Sequence, residues 1–586
     1  MKPRLWAPFA SRVEIEILNQ DPNLILKMDP VRSINSLGWF ELQDIDLKPG
    51  TDYRFILDKE QVVPDPRSVW QPEGVHGPSR VVDHNSYNWQ DDTWKGFSLS
   101  SAVIYECHVG TFTPEGTFKG VMKKLDYLIE LGINTLELMP VSEFPGRWGW
   151  GYDGVDLYAV RDSYGGPQGL KELVDSCHQK GIAVVLDVVY NHFGPSGNYL
   201  SKFGPYFSDK YSTPWGDAIN LDESGSDEVR NFLIDNAVTW FKDFHFDALR
   251  LDAIHAIFDT SATHFLTQLS DRIQDLSAEI GKPCYLIAES DLNNPRVISP
   301  IEIDGFGFDS QWSDDFHHSL WAILTNETNG YYADFGTIAD LAEAFKSAFV
   351  YKGQYSIFRN RSHGSHPVNK RYSNFLAYIQ DHDQVGNRAI GDRLSHVVDL
   401  DFVKMAAGLV LVSGFIPMIF QGEEWAASTP FLYFSDHSEP ELGQAVTQGR
   451  QKEFASFGWD PSCIPDPQSE SSFLNSKLNW DELGESKHQE LLQWYKDLLR
   501  LRKDGKSLGD CALGKIDIEY SEEEKWLIIR KSSKLAIVNF SDSKAGSNLS
   551  WIKNSVKVLL SSQKVDLEDL RKGYLPPKSF IFLELN

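Results

Sequence analysis

What this chain of 586 residues lacks narrows its function before any motif is read. Its five cysteines, Cys107, Cys177, Cys284, Cys463 and Cys511, are scattered and odd in number. None forms a CxxC pair or sits beside histidines at ligand spacing, so neither a zinc site nor a disulfide framework is expected. No run of about 18 apolar residues exists to span a bilayer, and the start of the chain lacks a signal peptide's apolar core. A reduced, soluble, cytoplasmic protein is the expectation. Basic residues are scarce beside acidic ones, 56 Lys and Arg against 83 Asp and Glu, for a net charge of −27. A polyanion would be repelled over most of such a surface, so neither nucleic acid nor membrane is an expected partner. Internal repeats and low-complexity tracts are also missing.

What is present is a large apolar fraction, 41%, enough for several cores. Residues 1–90 read as all-β. Val13-Glu-Ile-Glu-Ile-Leu alternates as a half-buried strand does, and Trp39-Phe-Glu-Leu and Tyr53-Arg-Phe-Ile-Leu follow turn signals. A small immunoglobulin-like β-sandwich is expected there, leading out through a Trp-bearing linker, Asn85 to Gly96. Over 91–505 short apolar runs alternate with amphipathic helices, the pattern of parallel strands covered by helices. The runs are Ala102–Tyr105, Thr135–Met139, Ala183–Val189, Phe246–Leu251, Tyr285–Ala288, Gly307–Trp312, Phe375–Ile379 and Pro417–Phe420. Between them Asp227 to Phe244 places Val229, Phe232, Leu233, Ala237, Trp240 and Phe241 on one helical face. Eight such runs predict a multidomain α/β protein with a central (β/α)8 barrel. Residues 191–224 show no periodicity and read as a loop excursion over one barrel face. Residues 506–586 return to β patterning, as in Leu535-Ala-Ile-Val-Asn-Phe and Phe580-Ile-Phe-Leu-Glu-Leu, and predict an antiparallel C-terminal domain.

The chemistry gathers at strand ends. In Phe246-Asp-Ala-Leu-Arg-Leu-Asp-Ala-Ile-His255, Arg250 and Asp252 are two apart and share one face of a strand. An arginine there holds the aspartate ionised, as a covalent glycosidase's nucleophile requires; a structural ion pair is the plainer alternative. Three other runs also stop in polar groups: Asp187-Val-Val-Tyr-Asn-His192, Glu289 after Leu-Ile-Ala, and Gln380-Asp-His-Asp-Gln-Val-Gly-Asn387. Functional side chains of a barrel sit at the carboxyl ends of its strands, and four acidic ends in register are hard to explain as caps.

These four stretches resemble the signature regions of the α-amylase family of glycoside hydrolases, in a match that follows the domain order over the whole chain. Longer loops are similar to those of the subfamily that releases trehalose from maltooligosyltrehalose: Trp150-Gly-Tyr-Asp-Gly-Val155, Asn191 to Tyr199, Gln311 to His318 and His382 to Arg388. The resemblance implies that Asp252 is the nucleophile, Glu289 the general acid and base, and Asp383 the carboxylate that binds sugar hydroxyls and distorts the ring. It implies sugar contacts for Asp187, His192 and His382, stacking for Tyr152 with Asp153 beside it, and a leaving-group-side position for His255. Leu251, Ala253 and Ile254 flank the nucleophile and count with Arg250 in the substrate-binding set, as do Gln384, Val385, Gly386 and Asn387 after Asp383. Trp312, Asp314, Asp315, Phe316, His317 and His318, at and after the sixth strand, are expected to complete the substrate site.

An acidic loop with two histidines could instead hold a metal, but neutral sugar hydroxyls suit such a dense set of donors and acceptors. The excursion after the third strand lacks the carboxylates of a calcium cage, so no metal and no cofactor are expected. Glu423 and Glu424 read as structural caps. The oligosaccharide maltooligosyltrehalose is the implied substrate and its synthase the implied pathway partner. Two readings compete. A branching or debranching enzyme would carry the same carboxylates, and a non-catalytic glycan-binding protein would have lost one of them.

Overall fold

The computed structural model describes the chain except residues 1, 20–21, 34–36, 44, 457–459, 548–555 and 586. Eight parallel strands close on themselves: β1 Ile104–Cys107, β2 Thr135–Leu138, β3 Ala183–Val188, β4 Ala248–Leu251, β5 Tyr285–Ala288, β6 Ser310–Trp312, β7 Phe375–Ala377 and β8 Ile416–Phe420. β8 pairs with β1, Met418 beside Ile104. The strands are short, and all but β6, Ser-Gln-Trp, are mainly apolar, because both of their faces are covered, one by helices and one by the barrel interior. Helix α1, Ser226–Asp243, buries Val229, Phe232, Leu233, Ala237, Trp240 and Phe241, the face read from its periodicity.

Strand register sets the layers inside. Ile104, Val185, Ala248, Ile287, Leu376 and Ile416 form an apolar plug with Trp312, Tyr378 and Met418. Two residues further along their strands, and therefore on the same face one level higher, stand Glu106, Asp187 and Arg250. Glu106 is level with Glu137, and Asp187 with Arg250. The upper floor of the barrel is thus ionisable while the floor below is dry.

Strand limits differ from the sequence reading where local hydrogen bonds compete with the ladder. Phe246 N–H bonds Trp240 O at the end of α1, so β4 begins only at Ala248. Gly307 adopts φ +77°, a left-handed turn conformation, and β6 begins only at Ser310. The excursion after β3 is not structureless. It holds a helical turn, Leu200–Phe203, and an antiparallel hairpin of Phe207–Thr213 with Gly216–Ile219. Its first strand, Phe-Ser-Asp-Lys-Tyr-Ser-Thr, is polar on both faces and so gives no alternation to read.

At the N-terminus an antiparallel sheet runs in the order Leu24–Lys27, Val13–Ile17, Asp52–Leu57, Gln61–Val63, beside a three-stranded sheet that includes Arg4–Trp6 and Trp39–Glu41. At the C-terminus a five-stranded antiparallel sheet packs Phe580 against Trp494 of a long helix, Ser486–Lys503. The linker passes beneath the barrel. There His178 lies between Asp91, 2.8 Å from Nδ1, and Asp247, 2.9 Å from Nε2. Asp247 also accepts from Val184 N–H, Trp94 Nε1–H and Lys282 Nζ. Trp94 stacks on His178 at 4.8 Å, and His245 Nδ1 contacts Asp91 at 2.8 Å.

Candidate active site

The sequence places its ionisable groups at the upper ends of β3, β4, β5 and β7, and the fold joins those of β3, β4 and β5 through Arg250. This arginine is completely buried. Its Nη1 donates to both oxygens of Asp187, at 2.9 and 2.8 Å, and to Asp252 Oδ1 at 2.7 Å. Nη2 lies 3.5 Å from Glu289 Oε2, and the guanidinium sits 4.3 Å from the centre of the Trp312 ring. One fixed cation therefore touches three carboxylates.

The two carboxylates that face the cleft are driven apart. Burial pushes Asp252 upward, but Arg250, His192 and a 2.8 Å bond from Asn191 Nδ2 outweigh it and hold the carboxyl below its ordinary range. Burial pushes Glu289 well above its ordinary value, against the pull of Arg250 and with a further push from Asp252. Ala253 connects the pair. Its φ of +39° lies in the left-handed region, which costs an alanine about 1–2 kcal/mol, and it aims the N–H at Glu289 Oε2. An ionised and a protonated carboxyl side by side can perform nucleophilic attack and proton donation on one glycosidic bond.

Two adjoining cavities receive these groups. The larger, ≈ 410 Å³, is lined by Asp252, Ala253, Tyr152, Asp153, His192, His255 and also Trp150, Trp215 and Tyr433. The second, ≈ 210 Å³, is lined by Trp312, Asp314, His318, Gln384, Asp291, Tyr331, Phe358, Arg359 and Asp381. Glu289, Asp383 and Asn387 line both. Asn387 Nδ2 donates to Asp383 Oδ1 at 3.2 Å.

Behind the larger cavity His382 is wedged between Glu106 and Tyr152. Its Nδ1 lies 2.5 Å from Glu106 Oε1, and its Nε2 2.7 Å from the Tyr152 hydroxyl. Tyr152 donates in turn to Asp187 Oδ2 at 2.6 Å. His192 stacks on Trp215 at 4.5 Å, with Nε2 3.1 Å from Tyr152 O.

Several expected contacts go elsewhere. Asp314 to Thr325 is a helix, α2, and not a loop. Asp314 and His318, four apart, share its cleft side; Asp315, Phe316 and His317 turn inward. Asp315 accepts from Asn293 Nδ2 and from Val350 and Tyr351 N–H, Phe316 packs on Phe345 and Phe415, and His317 contacts Ile379 O and Tyr332. Asp315 is thus spent on backbone donors, and among the described residues no group of three or more His, Cys, Asp or Glu could hold a metal ion. Leu251 and Ile254 belong to the apolar core, and Val385 to an aromatic cluster under Trp150. Gly386 is there because a Cβ would fall 2.0 Å from Trp150. His255 lies in the cavity of Asp252, with Nδ1 3.9 Å from Asp291, and not among the residues of the second cavity. Asp187 lies beneath Tyr152, nearly fully buried.

Asn191, Glu106, Trp150, Trp215, Tyr433, Tyr331, Phe358 and Arg359 are additions. Asn191 was legible within its motif, and Glu106 as an acid inside an apolar strand. Trp215, Tyr433, Phe358 and Arg359 come from loops whose placement only packing decides.

A closed parallel barrel with an Asp–Arg–Asp–Glu cluster at its carboxyl end defines a glycoside hydrolase of the α-amylase type. The α-amylase catalytic domain family matches residues 78–213. The chain is 48% identical over 504 residues to the malto-oligosyltrehalose trehalohydrolase of Arthrobacter ramosus, covering 85% of this chain and 86% of that one. To the protein of the same name from Saccharolobus solfataricus it is 45% identical over 539 residues, covering 92% and 91%. A crystal structure of a putative α-amylase from Salmonella typhimurium superposes with a TM-score of 0.88 at 35% identity, covering 100% of this chain and 97% of that one. The chain belongs to the malto-oligosyltrehalose trehalohydrolase family.

Proposed function

We propose that this enzyme cleaves the α-1,4-glucosidic bond next to the trehalose end of maltooligosyltrehalose, with retention, and releases trehalose. The observation that carries the mechanism is the placement of Asp252 and Glu289 on one buried arginine in one cavity, Arg250 Nη1 lying 2.7 Å from Asp252 and Nη2 3.5 Å from Glu289, with the two carboxyls pushed in opposite directions. Asp252 attacks the anomeric carbon while Glu289 gives its proton to the departing trehalose oxygen. A glycosyl ester forms on Asp252. Glu289, now a carboxylate, takes a proton from water, and the hydroxide equivalent breaks the ester and restores both groups. Asp252 lines only the larger cavity, so the maltooligosaccharide part occupies it, over Tyr152. The trehalose part occupies the second cavity, with Asp314, His318 and Arg359 as hydrogen-bonding partners. Asp383, at the junction, binds ring hydroxyls of the reacting glucose.

The names of the relatives support this substrate. In the same reading the enzyme works in the cytoplasm, after a synthase that makes maltooligosyltrehalose, needs no cofactor, and divides into units 1–90, 91–505 with the excursion 191–224, and 506–586. Among the described residues no helix is long and apolar enough to cross a membrane.

A product assay tests it, with maltotriosyltrehalose and maltopentaose at equal concentration. Fast trehalose release from the first with slow turnover of the second is expected. Equal turnover, or new α-1,6 linkages, would overturn the substrate and leave the carboxylates in place.

A further inference from the structure

We infer that Glu106, on the first barrel strand, is a positioning residue for the hydrolysis: it fixes His382 as a doubly protonated imidazolium and, through it, the ring of Tyr152 at the wall of the larger cavity. This rests on Asp252 and Glu289 being the reacting carboxylates. Glu106 is almost completely buried and faces the barrel interior, out of reach of the cleft. It grips His382 twice, Oε2 accepting the backbone N–H at 3.1 Å and Oε1 the ring Nδ1–H at 2.5 Å.

Hydrogen counting then sets the ring's charge. The single hydroxyl proton of Tyr152 goes to Asp187. The 2.7 Å contact between Tyr152 and His382 Nε2 must therefore be donated by the ring. The proton between Nδ1 and Glu106 resides on the more basic imidazole, whose reference pKa exceeds a glutamic acid's by about 2 units. Both ring nitrogens are donors.

Other charges facing the ring are Asp381 and Asp383 on either side of it in the chain, Glu137 on β2, Asp187 on β3 and His108 after β1, with Arg250 of β4 one contact further on, bonded to Asp187. Burial makes Glu137 and His108 neutral, raising the first and lowering the second to about 3. Burial opposes the imidazolium too, yet Glu106 and Asp383 outweigh it and lift His382 to about 10. The cation lies 3.6 Å from Asp383 Oδ1 and its ring stacks on Tyr152 at 5.2 Å. Without Glu106 the ring is free to lose its proton, to accept from Tyr152, and to release that tyrosine from Asp187.

The test is Glu106→Gln, which keeps the shape and an acceptor but removes the charge. Histidine labelled with 13C, with His382→Gln to identify the resonance, reads the ring from pH 6 to 9. In the parent enzyme it stays an imidazolium throughout; in E106Q it titrates within the range. Turnover by E106Q falls up to about 100-fold, as a small misplacement in a site does, and falls further as pH rises through the new His382 pKa. The melting temperature falls too, since a buried ion pair loses one charge, so the pH dependence of turnover and the His382 resonance, which a merely structural role would not move, are the deciding readouts. Adding E106Q to H382Q costs nothing more. A parent resonance titrating near the ordinary value of about 6.5 overturns the inference, as does full activity of E106Q, and the parent spectrum decides even if E106Q does not fold. Asp252→Ala separates the underlying reading: if it keeps activity, the catalytic assignment fails whatever His382 does.

Discussion

The two ends of the barrel use the same residue types for opposite purposes. At the lower end His178 is bonded at both nitrogens, Asp247 receives bonds at both oxygens, and Trp94 covers the imidazole. At the upper end Arg250 leaves Nε and Nη2 without a hydrogen bond, both oxygens of Glu137 have no partner, and Glu289 is held protonated. The lower cluster is complete, so it can only hold: it ties the linker to the barrel floor. The upper cluster is incomplete, so it retains the capacity to bind and to move a proton. Unsatisfied buried polarity is costly, and here it is concentrated where chemistry is proposed.

Substitutions can break this contrast, and the largest effect belongs to the upper end. Asp252→Ala should lower turnover on the order of 10⁴-fold, read by trehalose release, because no other carboxylate can form the glycosyl ester. Glu289→Gln comes next, with a loss of about 10²- to 10⁴-fold. Its pH profile is the sharper readout. Glu289 acts protonated and its pKa is raised, so parent activity falls only as pH climbs through a value well above that of an ordinary glutamate. Asp252 acts ionised and is lowered, so the acid limb lies below the usual aspartate range. The variant should lose the alkaline limb and keep the acid one.

At the lower end His178→Leu should leave kcat unchanged while costing stability. Asp91 and Asp247 then face each other without their shared cation, a loss of about 3–5 kcal/mol in urea unfolding. The smallest effect is the pH dependence of parent stability. Burial opposes charge on His178, but its two aspartates raise its pKa, so that contribution is full below the unfolded value and fades as pH rises through the folded one. Asp247 is lowered despite its burial, so its share is lost as pH falls through the folded value. Both contributions are complete between about pH 4 and 6.5, and a melting-temperature plateau there, absent in the leucine variant, is expected.

The eight barrel strands were legible because a strand buried on both faces must be a short apolar run, and each run ends where a strand does to within a few residues. Asp252, Glu289 and Asp383 were legible for a related reason: the end of a strand aims the side chains just beyond it into the barrel mouth. What the sequence did not display has more than one physical source. Asp314 to His318 was read as a loop in which all five residues could face the substrate, whereas a helix presents only positions four apart. Trp215, Phe358, Arg359 and Tyr433 were invisible because nothing local distinguishes a loop residue that packing later swings over a cleft. Glu106 left a signal, an acid within an apolar strand, whose meaning depended on His382, far away in the chain.

Closure of the barrel has a consequence for how the chain is born. One edge of β1 pairs with β2, Ile104 beside Thr135, but its other edge waits for Met418 of β8, so roughly three hundred residues must leave the ribosome before the barrel can be sealed. Until then the nascent chain carries two open sheet edges and an exposed apolar plug. The linker, by contrast, meets Asp247 much earlier, through Trp94. Cells making this enzyme must shelter a half-wound barrel during translation, and expression yield should track the supply of chaperones more closely than the stability of the finished fold.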